Sequence, residues 1–198
     1  MKKVFLRSSQ VLLAASLLFF MNLPDGYSSM LQFLSKKELV TKSDSIVVGQ
    51  IVDQYSDWDS TGKFIVTYIK VKVVDDIKGS EGGAQEIIIK KVGGRVGDRE
   101  MIVHGAARFT VGEKTLLFLG KDFKGFRSVM GLSQGKYRIL RDQMTGEEVA
   151  ENPTDPEIGF VKKSADGKAT LDKDVPISKK LNLKDFIEEI KQDLKKID

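Results

Sequence analysis

A chain of 198 residues with 41% apolar and 30% charged residues has the length of one ordinary domain and the composition of a soluble globular protein, which excludes disorder throughout. It contains no cysteine, so neither a disulfide framework nor a cysteine-linked lipid anchor is available to it. The formal charge of +4 falls to +2 once residues 1–28, which carry Lys2, Lys3, Arg7 and Asp25, are set aside. The remaining cations are interspersed with acids, which excludes the electrostatic footprint of a nucleic-acid binder.

Residues 1–28 have the parts of a secretory signal: a positive start, an apolar run over 11–21, and a break at Pro24-Asp25-Gly26. That run of eleven residues, ten of them apolar, falls well short of the ~20 that span a bilayer as a helix, so cleavage after Ser28 is expected rather than stable membrane insertion. The expected compartment is the periplasm or the medium.

Ser35-Lys36-Lys37-Glu38 is a capping-box pattern that predicts a short helix ending near Thr41. Residues 45–52 (SIVVGQIV) then read as a strand in which Gly49 marks a bulge or bend. Residues 64–75 alternate with period two and predict a long strand with a partly wet face. Glycines over 77–83 predict a turn, and strands follow at 86–92, 101–103, 115–119, 126–130 and 136–141. Thr145-Gly146 turns the last of these into a hairpin with 147–150. Short strands at this spacing predict an all-β barrel or sandwich over 29–150.

Three of the four prolines fall between 151 and 181, a stretch read as an irregular connection. A helix over 182–198 follows, capped by Asn182, with Leu183, Phe186, Ile187, Ile190 and Leu194 on one stripe. Docking on the β-domain is the expected use of that stripe; a partner-binding helix is the alternative.

Residues 43–52, Ile77-Lys78-Gly79, Gly93-Gly94, the block Phe109-x-x-Gly112-Glu113-x-x-Leu116-Leu117-Phe118-Leu119 and GLSQGKY over 131–137 together resemble a family of exported, uncharacterised bacterial proteins. The same order is distantly similar to netrin and tissue-inhibitor-of-metalloproteinase domains. That resemblance implies a single OB-like β-barrel and an association with proteases. The inhibitors' zinc-binding N-terminal cysteine has no counterpart here, so their mechanism does not carry over.

No pattern for catalysis meets its own context. Gly131-Leu132-Ser133-Gln134-Gly135 matches the nucleophile elbow G-x-S-x-G, yet a strand rather than a helix is predicted after it, and the only histidine, His104, precedes it. A hydrolase using Ser133 and His104 is therefore the alternative reading. His104 lacks companions for a metal site. Gly93-Gly94-Arg95-Val96-Gly97 opens onto a strand rather than a helix, which argues for a turn and against a dinucleotide loop. Asp57-Trp58-Asp59-Ser60-Thr61-Gly62 starts like a calcium loop but has Tyr68 at its twelfth place. Glu113, held between Gly112 and an apolar strand, is expected to bond nearby amides and fix the turn.

The sequence thus predicts an exported, non-catalytic binding module with no cofactor and no metal, whose partner is another exported or envelope protein. Tyr55, Trp58, Gly93, Gly94 and Arg95 are its candidate binding residues. A purely structural envelope component is the third reading.

Overall fold

The computed structural model describes residues 29–79, 85–152, 158–163, 169–172, 175 and 179–197. The predicted signal segment lies outside them, as do residues 80–84 of the glycine-rich turn and parts of 151–181. Among the described residues no helix is long and apolar enough to cross a membrane.

The protein is mainly β. Seven antiparallel strands form one sheet in the order β12 (Lys180–Asn182), β9 (Glu148–Glu151), β8 (Lys136–Arg141), β7 (Lys114–Leu119), β2 (Ser45–Trp58), β3 (Ile65–Lys78) and β4 (Glu86–Val92). A two-stranded ribbon, β5 (Gly94–Val96) with β6 (Arg99–Met101), follows β4. A small sheet joins β1 (Ser29–Gln32), β10 (Ile158–Lys163) and β11 (Ala169–Leu171).

The described residues form no closed barrel: β12 and β4 stand at the two ends of the sheet. The reason lies in the run predicted as the core. Leu116, Leu117, Phe118 and Leu119 of β7 are all fully buried, and successive residues of a strand point to opposite faces. Leu116 and Phe118 pack with Ile46, Val48 and the two helices, whereas Leu117 and Leu119 pack with Val47, Ile51, Ile69 and Val71. A strand apolar on both faces requires a covering layer on each side, which an open, two-sided sheet provides.

The first layer is α1 (Lys36–Lys42) with α2 (Leu183–Leu194). Ser35 caps α1: its Oγ accepts from the Glu38 amide at 3.2 Å, and Glu38 Oε2 accepts from the Ser35 amide at 3.0 Å. At the other end, Lys78 Nζ donates to the carbonyls of Val40 (2.9 Å) and Ser43 (2.6 Å), satisfying acceptors that a helix end leaves open. Gly79 follows at φ +70°, where a Cβ would collide with the Asp44 carbonyl. Asn182 caps α2 through Lys184 and Asp185 amides. The α2 stripe docks: Leu183, Phe186 and Ile190 are buried, and the Phe186 ring lies 5.0 Å from that of Tyr137. Lys36 bridges to Glu189 (2.7 Å) and Asp193 (3.3 Å), tying the helices together.

Several expected boundaries shift. The first strand runs on to Trp58, and its ladder with β3 changes register at three places, one of them at Gly49. The expected strand over 126–130 is a turn region held by single bridges at Phe126, Arg127 and Val129. The expected irregular connection over 151–181 contains β10, β11 and the start of β12. Each is short, and β10 and β12 pair with the distant β1 and β9, so propensity alone did not reveal them.

Glu38 accepts from Lys42 and from Ser35, and these bonds hold its carboxyl down at about 2, against an ordinary 4.5. A depressed acid stabilises the fold above its unfolded value and loses that contribution as pH falls through its folded one. The stability gap between the wild type and Glu38→Gln should be about 1 kcal/mol near neutrality, allowing for solvent screening. Urea denaturation should show that gap closing as pH falls from 4.5 to about 2; a pH-independent gap would contradict the capping role.

Candidate functional site

The second covering layer of the sheet is irregular. After β6 the chain crosses the sheet as residues 102–113 and delivers Ala107 and Phe109 into the second core cluster. Between this crossing, the turn 131–135 and β8 lies a cleft of about 1060 Å³. A shallower depression of about 350 Å³ adjoins it and shares Lys91, Gly94 and Arg108 with it.

One wall is fixed by a buried ion pair. Lys136 Nζ lies 2.6 Å from Glu113 Oε1, with the two side chains only 3% and 11% exposed, and it sits 5.0 Å above the Phe109 ring. Glu113 Oε2 accepts from the Thr110 amide at 3.1 Å, the turn-fixing bond expected of this acid. Burial pushes the Lys136 ammonium below its ordinary value, and the bond to Glu113 partly offsets it. Beside it, Arg138 Nη2 meets Glu151 at 3.1 Å, while its buried Nε has no hydrogen-bond partner.

The expected binding residues are only partly brought together. Gly93 and Gly94 line the main cleft and Tyr55 the adjoining depression. Gly93 is buried at φ +93°, its amide bonded to the Ile65 carbonyl at 2.8 Å, and a Cβ on Gly94 would collide with the hydroxyls of Ser56 and Thr67. These glycines let ribbon and sheet approach closely. Tyr55 is 59% exposed but stacks on Tyr68 with ring centres 5.1 Å apart. Trp58, half-buried at the end of β2, and Arg95, whose Nε donates to the Gly97 carbonyl at 3.4 Å, line neither depression.

No protein-family model matches this chain, and no curated protein matches it.

The calcium-like loop is occupied by its own turn. Asp59 Oδ1 accepts from the Lys63 and Phe64 amides, each at 3.0 Å, and its Oδ2 accepts from Thr61 at 2.7 Å. These bonds, led by the Phe64 amide, hold its carboxyl at about 2. Among the described residues no group of three His, Asp or Glu side chains is placed to hold a metal ion.

His104 and Ser133 both line the cleft. Ser133 sits in a turn at 131–135 that enters β8 directly, without a helix. Its neighbour Gln134, 7% exposed, accepts from the Leu34 amide at 2.8 Å and donates to the Gln32 carbonyl at 3.0 Å. The elbow-like motif therefore anchors the linker between β1 and α1.

The cleft's cations escaped notice in the sequence. Lys91, Arg108 and Arg138 lie in three separate elements with no motif around them, and Lys136 read only as part of a strand and of the resembling stretch 131–137. Alternation in β4 alone, with Ile89 inward and Lys91 on the same face two residues on, carried a signal for one of them.

Removing one member of a buried ion pair leaves an uncompensated charge. Glu113→Ala should cost about 3–5 kcal/mol, and the double change Glu113→Gln with Lys136→Met should recover most of that loss. Thermal and urea unfolding of the three proteins decide it; a Glu113→Ala protein as stable as the wild type would remove the pair from this role.

Proposed function

We propose that the chain is an exported, non-catalytic binding module that takes a segment of another exported or envelope protein in the cleft between residues 102–108 and β8. The observation that carries this reading is the cleft itself: about 1060 Å³, in which an apolar stretch of Met101, Ile102, Val103, Ala106 and Ala107 stands beside polar and charged side chains converging from β4, the crossing and β8, so that a ligand can be held both by contact area and by charge. Its outer wall supports a peptide in particular. Residues 106–110 cross the sheet outside any strand ladder, and while the Ala106 and Thr110 amides are bonded within the crossing, the backbone between them is left to pair with an incoming chain.

The OB-like comparison and the protease association belong to the same proposal. The three register irregularities along the β2–β3 ladder supply the strand coiling that an OB-like sheet needs. The protease association rests on the resemblance in residue order alone.

A photo-crosslinking amino acid at Ile102, on the cleft, is expected to give a covalent adduct with one exported protein in the producing cell. The same group at Val74, exposed on β3 and outside the cleft, should not. Adducts from neither position, or equally from both, would overturn the assignment of binding to this cleft.

The hydrolase reading is favoured by one observation, the presence of Ser133 and His104 on the same cleft. It requires that a fluorophosphonate probe label the wild type and spare Ser133→Ala. We expect no labelling of either protein, and Ser133-dependent labelling would replace the binding module with an esterase or protease.

A further inference from the structure

Two cations stand at the junction of the main cleft and the smaller depression. Lys91 on β4 and Arg108 on the crossing segment line both. Among the described residues neither has an ion-pair partner, whereas Lys136 is paired with Glu113 and Arg138 with Glu151. Of the two acids that line the cleft among the described residues, Glu113 is thereby engaged, and Glu100 stands on the exposed outer strand β6. Lys91 is half-buried, and that burial, followed by the charge of Arg108, pushes its ammonium below the ordinary lysine value. Arg108 is exposed, so the cost of lost hydration falls on Lys91 and the repulsion on both, and an anion between them offsets each.

The surroundings select the kind of anion. Met101, Ile102, Val103 and Ala106 give the main cleft an apolar stretch beside this charged junction, and Gly93 and Gly94 leave its floor without side chains. A small phosphate ion would use the cations and leave that apolar length unfilled. An extended peptide uses both, with its backbone along residues 106–108 and alternate side chains entering the cleft.

Resting on the cleft as the binding site, we infer that its ligand is an extended peptide segment whose acidic side chain is held between Lys91 and Arg108, with apolar residues on either side of that acid. The carboxylate accepts from the Arg108 guanidinium and from the Lys91 ammonium, both charge-assisted bonds. Lys91 and Arg108 set specificity, and the apolar wall supplies contact area.

The test is selection of random dodecapeptides displayed on phage against the purified protein, beside two variants. Lys91→Gln with Arg108→Gln removes the charges, and Ala106→Trp fills the cleft while leaving them. Circular dichroism and thermal melting establish that both variants remain folded. The wild type is expected to enrich peptides with an Asp or Glu flanked by apolar residues. The charge variant should bind a synthetic form of the best peptide roughly ten- to a hundredfold more weakly, as should the wild type when the peptide's acid is replaced by its amide. Ala106→Trp should abolish binding.

Enriched peptides without an acidic preference, lost with Ala106→Trp, would keep the cleft and overturn the Lys91–Arg108 inference. Enrichment unaffected by Ala106→Trp would overturn the cleft as well. If no peptide is enriched, the ligand is not a peptide; shifts of the Lys91 and Arg108 resonances on titration with inorganic phosphate would then assign the junction to a small anion.

Discussion

Strand β7 is buried on both faces, and the rest of the molecule is arranged to satisfy that one constraint. Leu116 and Phe118 require one apolar layer and Leu117 and Leu119 another. Helices meet the first requirement cheaply in backbone terms, because all but their end groups bond internally. The second layer is an irregular crossing, and a segment without strand or helix must find other partners for its backbone and stay at the surface. That difference gives the molecule a closed side and an open side. The helical face is sealed by interlocking aromatics, Phe118 with Tyr137 and Tyr137 with Phe186. The other face is covered incompletely, and the cleft is the part left uncovered.

The Glu113–Lys136 pair is the device that holds the open side in shape. It joins the end of the crossing to β8, and Phe109, beneath the ammonium, joins the same point to the core. A buried pair of this kind contributes little net stability over an apolar substitute, yet it tolerates few alternative positions for the two chains it connects. In this protein its consequence is geometric: the wall carrying Arg108 is fixed relative to the strands that carry Lys91 and Arg138.

Much of the fold was legible because local chemistry matched global structure. The capping box at Ser35 and Glu38, the Asn182 cap, the α2 stripe and the bulge at Gly49 each depend on residues near one another in sequence, and each is found in place. Strand spacing suggested a barrel or sandwich and the family resemblance a barrel, and neither says whether one face or two must be covered. The apolar run at 115–119 held that information. Its lack of alternation, set beside the alternation of β3, distinguishes a strand buried on both faces from one half-exposed. The strands β10 and β12 were missed for the opposite reason, since each is short, polar in part and paired with a segment far away in the chain, β1 or β9.

The same contrast explains why the site was the harder half. The motifs that prompted the family resemblance are joints of the fold: Lys78 and Gly79 close the end of α1, Gly112-Glu113 fastens the crossing, and Gln134 ties down the linker after β1. Residues with such duties stand out in a sequence because glycines and charges next to apolar runs are unusual. Lys91 and Arg108 have no structural duty of that kind, and a lysine in a strand or an arginine in a loop is ordinary when read alone. Their significance arises only when the crossing segment is laid over β4, which brings two cations with no carboxylate partner among the described residues to one junction. The proposed site, made of residues released from structural work, is therefore nearly silent in the chain, and it becomes readable once the residues that hold the fold have been subtracted.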